Sequence, residues 1–397
     1  MIEARSWSGL LPARPHAGVI AAWALMACLN LSAGVVIASW PERQTDLDTM
    51  WRWGHAWLLQ GSNLYATDVD APDYPPHAVV ALAPVGTLPA KWAAPVWAGF
   101  NLGLALLAPY LAVRVARPTA ALSAAALPIC MFLCWGGFRT LLQFSLLTLV
   151  FGLLAMALAD RRPTLGGLCL GLVLIKPQIA APFFLWAVFT RRLRLVALAL
   201  AVVTAGFALF CLRAQASPLM VVRRYLEILQ MFYMGDATLI GLAQIRPLIA
   251  LSSSNTVLVD VIALATAVAI LSGICVLGTV EGRRRQVLLF SAPALAGIWS
   301  LLAFYHLTYG FILLLPVATL LIFDGDPETT VFRTRLFWAL QLALMFDVPG
   351  LWRRFGHLTG APPIVSEFAI HVDRLLMLGL FASVAMLALR ARKHFRR

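Results

Sequence analysis

Apolar residues run in long blocks along this chain, and short clusters of arginine and lysine cut the blocks apart. A helix that crosses a membrane needs about 20 consecutive apolar residues. Blocks of that kind are predicted at 17–40, 91–113, 119–137, 141–159, 195–213, 256–279, 286–304, 309–323, 335–350 and 369–389. The first is too long for the apolar core of a cleavable signal and is expected to remain as a span. The stretch 164–190 differs, because each apolar half beside Lys176-Pro177 is too short to cross comfortably. Proline lacks a backbone donor and discourages helical geometry in the residue before it. Two short helices in a proline-broken hairpin are predicted there, with Lys176 near the apex.

Two polar stretches interrupt this pattern. The longer, 41–77, carries Glu42, Asp46, Asp48, Asp68, Asp70 and Asp73 against Arg43 and Arg52. Within it Thr49 to Gln60 reads as a helix bearing Trp51, Trp53 and Trp57, an aromatic set that suits the headgroup level of a bilayer. His77 to Leu88 is apolar but short, broken by Pro84 and Gly86, and is expected at the interface. The second segment, 214–255, mixes apolar residues with Arg223, Arg224, Arg246 and Asp236. No stretch is long enough for a separate soluble domain, so residues 1–397 are expected to form one transmembrane unit.

Composition removes the soluble alternatives. Hydrophobic residues make up 61% and charged residues 12%, with a mean hydropathy of +0.84, whereas soluble domains carry roughly 25% charged residues. In a soluble protein the net charge of +13 would suggest nucleic acid. Here the cations sit between apolar blocks, the arrangement that orients spans against an anionic cytoplasmic leaflet, and no nucleic-acid partner is expected. With a cytoplasmic N-terminus, the clusters at Arg5 and Arg14, Arg114 and Arg117, Arg161 and Arg162, Arg191 to Arg194, Arg283 to Arg285, Arg333 and Arg335, and the basic tail all fall inside. That count takes the hairpin as two crossings. It predicts an all-α polytopic protein of about twelve transmembrane helices in the plasma (inner) membrane, both termini cytoplasmic and segments 41–77 and 214–255 outside. The six cysteines lie in apolar blocks; Cys130 and Cys134 are one turn apart, but no His or carboxylate joins them, so packing is the expected role. No phosphate-cradling GxxxxGK[ST] motif is present, which argues against ATP-driven transport by this chain alone. Chemistry is therefore expected on the outer face, where substrates are lipid-linked.

The motifs there carry a resemblance. Thr45-Asp46-Leu47-Asp48-Thr49-Met50-Trp51-Arg52-Trp53, then Gly61-Ser62-Asn63-Leu64-Tyr65, then Asp73-Tyr74-Pro75-Pro76 and Leu88-Pro89 resemble the first external loop of glycosyltransferase family 87. The likeness continues through Trp97, Asn101, Gln143, Gly166-Gly167, Gly171 and Lys176-Pro177, and is looser around His306 and Pro316. Where that family usually has Gly-Gln-x-Asn, this chain has Leu142-Gln143-Phe144-Ser145.

The resemblance implies a GT-C-type fold and transfer of a sugar, typically mannose, from a polyprenyl-phosphate donor to a lipid or glycan acceptor. Asp46 or Asp48 would then be the catalytic base, with Asp46 favoured by its spacing to Arg52-Trp53. Lys176, Arg139 and Arg246 are candidates for the donor phosphate, since cations near the outer ends of spans are costly and usually functional. His306, Gln143, Tyr74 and Trp51 are candidates for binding substrate. A monophosphate leaving group can be neutralised by side chains, so neither a metal nor another cofactor is implied. The competing reading is a secondary transporter or lipid flippase, which would use a charged residue at a broken helix in the same way. Such proteins usually repeat the broken helix in a second half, and no repeat is seen here.

Overall fold

The computed structural model describes residues 46–66, 71–116, 143–234, 245–250, 252–253, 255–281, 286–304, 308–317 and 371–394, with a few isolated positions elsewhere. The described residues form helices joined by short turns, without strands. In chain order the helices are α1 (Asp46–Gln60), α2 (Pro76–Leu82), α3 (Ala90–Ala116), α4 (Ser145–Leu158), α5 (Pro163–Val173), α6 (Pro177–Phe189), α7 (Leu193–Arg213), α8 (Pro218–Met234), α9 (Arg246–Ala250), α10 (Thr256–Glu281), α11 (Gln286–Ala303) and α12 (Val372–His394). A 3-10 turn (Ala83–Thr87) follows α2, and another (Thr308–Leu314) follows α11. Three helices among the described residues are long and apolar enough to cross a bilayer: Ala90–Val115 in α3, Leu193–Arg213 in α7 and Thr256–Cys275 in α10. Their outward faces are apolar as well, with Leu106, Leu200, Leu209 and Leu264 among the exposed residues. A helix that is apolar on both its packed and its open sides belongs in lipid, so this is a membrane protein. The blocks predicted at 17–40, 119–137 and 335–350 lie wholly or almost wholly outside the described residues.

Helices α4 to α7 set the geometry of everything near the candidate site. Ser145, the first residue of α4, touches Lys176, which sits between α5 and α6. Asp160, just beyond the far end of α4, pairs with Arg192 just beyond the far end of α6 at 2.5 Å. Arg194 Nη2 donates to Thr164 Oγ1, at the start of α5. One end of this group therefore gathers Arg161, Arg162, Arg191, Arg192 and Arg194, and the other carries Lys176. From the basic end α7 rises to Arg213, whose guanidinium donates to the Leu58 carbonyl of α1 at 3.0 Å. Elements of the first polar stretch thus stand at the Lys176 end. At 1.5 Å per residue α7 is roughly 31 Å long and α4 roughly 21 Å. Both leave the basic end, so the Lys176 bend lies roughly 10 Å short of the α7 tip.

Close packing here depends on missing side chains. A Cβ on Gly167 would stand 2.6 Å from the Leu198 side chain, and one on Gly171 would stand 2.5 Å from that of Val202. Small residues let α5 and α7 approach, as is common between membrane helices. The same device docks α1 on the first 3-10 turn, where a Cβ on Gly86 would meet the His55 backbone nitrogen at 2.2 Å. Helix α8 lies beside this assembly. It buries Val221 and Ile228 and exposes Leu219, Val222 and Leu226, while Arg223 and Arg224 share Glu227.

Adding one methyl group should separate these contacts by their effect on stability. Gly171→Ala is expected to cost about 1–3 kcal/mol by overpacking, read as a lower unfolding temperature of the detergent-solubilised protein. Gly99 faces open space on α3, so Gly99→Ala should be neutral or gain up to about 1 kcal/mol of helix propensity.

Candidate active site

Lys176 is the residue preceding Pro177, and its backbone is extended (φ −128°, ψ 85°), as proline imposes on the position before it. Its side chain is 1% exposed. Around it lies an apolar cluster that includes Leu47, Met50, Trp53, Tyr74, Trp97, Phe144 and Ile175. A charged ammonium in such surroundings costs several kcal/mol unless its donors are used. Lys176 Nζ donates to Ser145 Oγ at 2.9 Å and to Gln143 Oε1 at 3.2 Å, and it lies 5.6 Å from the centre of the Tyr74 ring.

From Gln143 the polar chain continues to the surface. The Gln143 side-chain N–H donates to Oδ2 of Asp46, the first residue of α1. The Gln143 backbone is itself held, because Asn101 Nδ2 of α3 donates to its carbonyl at 2.9 Å. Asp46 is exposed, and its place in the first turn of α1 suits a carboxylate through the helix dipole. The arrangement is an exposed carboxylate backed by an amide, and an amide backed by a buried cation.

The aromatic residues fix the loop around this chain. Tyr65 donates its hydroxyl to the Tyr74 carbonyl at 2.6 Å, and Trp53 and Phe144 meet the Tyr74 ring edge-on. Burial raises the Tyr65 phenol well above its ordinary value, so it stays protonated as a donor. His77, 7% exposed, is driven by burial to about 4 and is neutral at physiological pH. Asp73 is half-buried. Desolvation raises its carboxyl above 3.8, and the nearby Lys176 opposes that rise.

Of the residues singled out in the sequence, Asp46, Gln143, Lys176 and Tyr74 come together. Asp48 is two positions further along α1 and therefore projects from nearly the opposite side of that helix. Trp51 anchors α1 to the turn below, donating to the Leu88 carbonyl at 2.8 Å and stacking on His55. Ser300 of α11 donates to the Gln178 carbonyl, and Ile245 N–H to that of Leu302. These contacts put Arg246 at the Lys176 end of the bundle, where it is ion-paired with Asp260 at 2.5 Å. Arg139 and His306 lie outside the described residues. The sequence reading did not single out Asp73, Ser145 or Asn101 as site residues, although Asp73 directly precedes Tyr74-Pro75-Pro76. Among the described residues no group of three or more His, Cys, Asp or Glu side chains gathers as a metal site.

The Asp73 carboxyl gives stability a pH dependence of known sign. Between its ordinary value of 3.8 and its raised one, the folded protein keeps a proton that the unfolded chain has released. Stability attributable to Asp73 therefore falls as pH rises through that window. Unfolding temperatures measured from pH 4 upward should show this decline in the wild type and a flatter profile in Asp73→Asn.

Comparison with known proteins adds the family. Searches among curated proteins and among solved structures gave no match. Residues 73–304 match glycosyltransferase family 87. The matched region contains Tyr74, Gln143, Lys176 and Arg246, and Asp46 and Asp48 precede it. Because the match spans more than half of the chain, this membrane protein belongs to glycosyltransferase family 87 and is a glycosyltransferase.

Proposed function

We propose that this glycosyltransferase moves a sugar, mannose in the first instance, from a polyprenyl-phosphate donor to a hydroxyl of a lipid or glycan acceptor on the extracytoplasmic face of the plasma membrane. The observation that carries the reading is the placement of an exposed carboxylate, Asp46, at the end of the helix group opposite its arginines. Arginine-rich ends of membrane helices favour the cytoplasm, which supports an outer placement of Asp46 and the acidic stretch 41–77. About twelve crossings with both termini inside are proposed on the same rule, from the sequence. The bend at Lys176 lies short of the α7 tip, a depth suited to a donor whose lipid tail stays in the bilayer while its sugar reaches water.

The step is a single displacement. The acceptor oxygen forms a bond to the anomeric carbon as the bond from that carbon to the phosphate oxygen breaks. The electron pair leaves with polyprenyl phosphate, and the acceptor proton passes to Asp46. A carboxylate is a weak base for an alcohol, so proton transfer accompanies attack rather than preceding it. Positioned bases of this kind contribute about 10²–10⁴-fold. Arg246 and Arg139 are the proposed cations for the leaving phosphate. Arg246 would have to exchange its contact with Asp260 for the substrate.

Asp46→Asn should lower sugar transfer by at least about 10²-fold while leaving the unfolding temperature close to that of the wild type, and Asp48→Asn should retain most activity. The assay is incorporation of labelled sugar from polyprenyl-phosphate-mannose into a membrane lipid extract by the purified protein. Full activity in Asp46→Asn would remove the proposed base. Single cysteines at Asn63 and Arg162, probed in intact cells with an impermeant maleimide, test the sidedness. Labelling at position 63 alone supports the outer placement; labelling at 162 alone reverses it.

A further inference from the structure

We infer that Lys176 is a positioning residue, which fixes the amide orientation of Gln143 and through it the Asp46 carboxylate. The inference rests on the reading of Asp46 as the base.

A glutamine side chain presents two unlike ends of nearly the same shape, a carbonyl that accepts and an NH2 that donates. The Asp46 carboxylate already prefers the NH2 end, because the other flip would set the Gln143 carbonyl oxygen against it. That preference alone does not anchor the buried end of the amide. Nζ of Lys176 can only donate, so it draws the Gln143 carbonyl towards it and holds the same flip from the buried side. The NH2 is then directed to the far side, where Asp46 Oδ2 accepts from it. Asn101 pins the Gln143 backbone, so the amide is clamped between Lys176 and Asp46.

The position of Lys176 argues against a direct grip on substrate. Its side chain is 1% exposed, and its ammonium is turned to Gln143, Ser145 and the face of Tyr74. A phosphate ligand would have to be open to the phosphate. Low dielectric strengthens each link of such a chain, so the orientation imposed at Lys176 reaches the exposed end at Asp46.

The test is a double-mutant cycle on the full-length protein in nanodiscs, using the labelled polyprenyl-phosphate-mannose assay. Gln143→Met and Lys176→Met should each lower kcat by about 10–100-fold, the range for one lost hydrogen bond to a charged group, with the donor KM within about twofold of wild type. The double variant should be no slower than the slower single variant, because both substitutions break one chain. A rise of about tenfold or more in donor KM for Lys176→Met, or effects that multiply in the double variant, would make Lys176 an independent phosphate ligand and overturn the inference.

Lys176→Met leaves carboxylates near an emptied site, at a cost in stability. Gln143→Glu covers the case in which that variant does not fold, since it keeps a partner for Lys176 while turning an acceptor oxygen to Asp46. It should unfold near the wild-type temperature yet lose at least as much kcat as Gln143→Met; wild-type kcat in Gln143→Glu would refute the chain. Asp46→Asn, run alongside, separates the two failures. Activity retained there removes the base itself, whereas activity lost there with a multiplicative cycle removes only the role given to Lys176.

Discussion

An ammonium group buried among apolar helices must use its donors or lose its charge, and that requirement organises the structure around Lys176. The lysine sits where Pro177 prevents α5 from running on into α6, so its backbone is already turned out of helical geometry. Ser145 comes to it from the first turn of α4 and Gln143 from just before that turn. Tyr74 comes from the stretch that precedes α2. Three distant parts of the chain thus converge on one cation, and Asp46 is joined to them through the amide of Gln143.

The surrounding helices provide the depth. Because α4, α5 and α6 are short and share a basic end, their other end stops well below the tip of α7. Above it the elements of the first polar stretch form a cover, held by contacts that tolerate no added atoms, such as Gly86 against the backbone of α1. Trp57 fastens this cover to α7 through the Phe210 carbonyl, while Tyr65 ties the cover together through the Tyr74 carbonyl and meets the Phe210 ring edge-on. The result is polar chemistry at the rim of an apolar bundle. The proposed lipid-linked donor and hydroxyl acceptor would need that combination in order to meet at one place.

Much of this was legible in the residues themselves. The apolar blocks at 91–113, 195–213 and 256–279 became α3, α7 and α10 because a helix in lipid must satisfy its own backbone and needs only length and apolarity to do so. The bend at Lys176-Pro177 was legible because proline acts on its nearest neighbour, whatever the rest of the fold does. Segment 214–255 was harder to read. Its basic and apolar residues looked mixed along the sequence, and only the turn of α8 sorts Val221 and Ile228 to one side and Arg223 with Glu227 to another.

Local chemistry and polarity are properties of short stretches, so the sequence alone determined membrane residence, the break before α6 and the motifs that resemble family 87. Convergence is a property of the whole bundle. Nothing in the spacing of Asp46, Gln143 and Lys176 says that they touch; spacing to Arg52-Trp53 favoured Asp46 over Asp48, and only the folded chain shows Asp46 against Gln143. Arg246 looked in the sequence like a cation awaiting a phosphate, and the packing of α9 on α10 supplied Asp260 as its partner. Packing also gave Ser145 and Asn101 their places beside the buried cation and its amide. Side-chain partners across a hundred residues are chosen by how helices pack, and packing is decided only when the chain is closed.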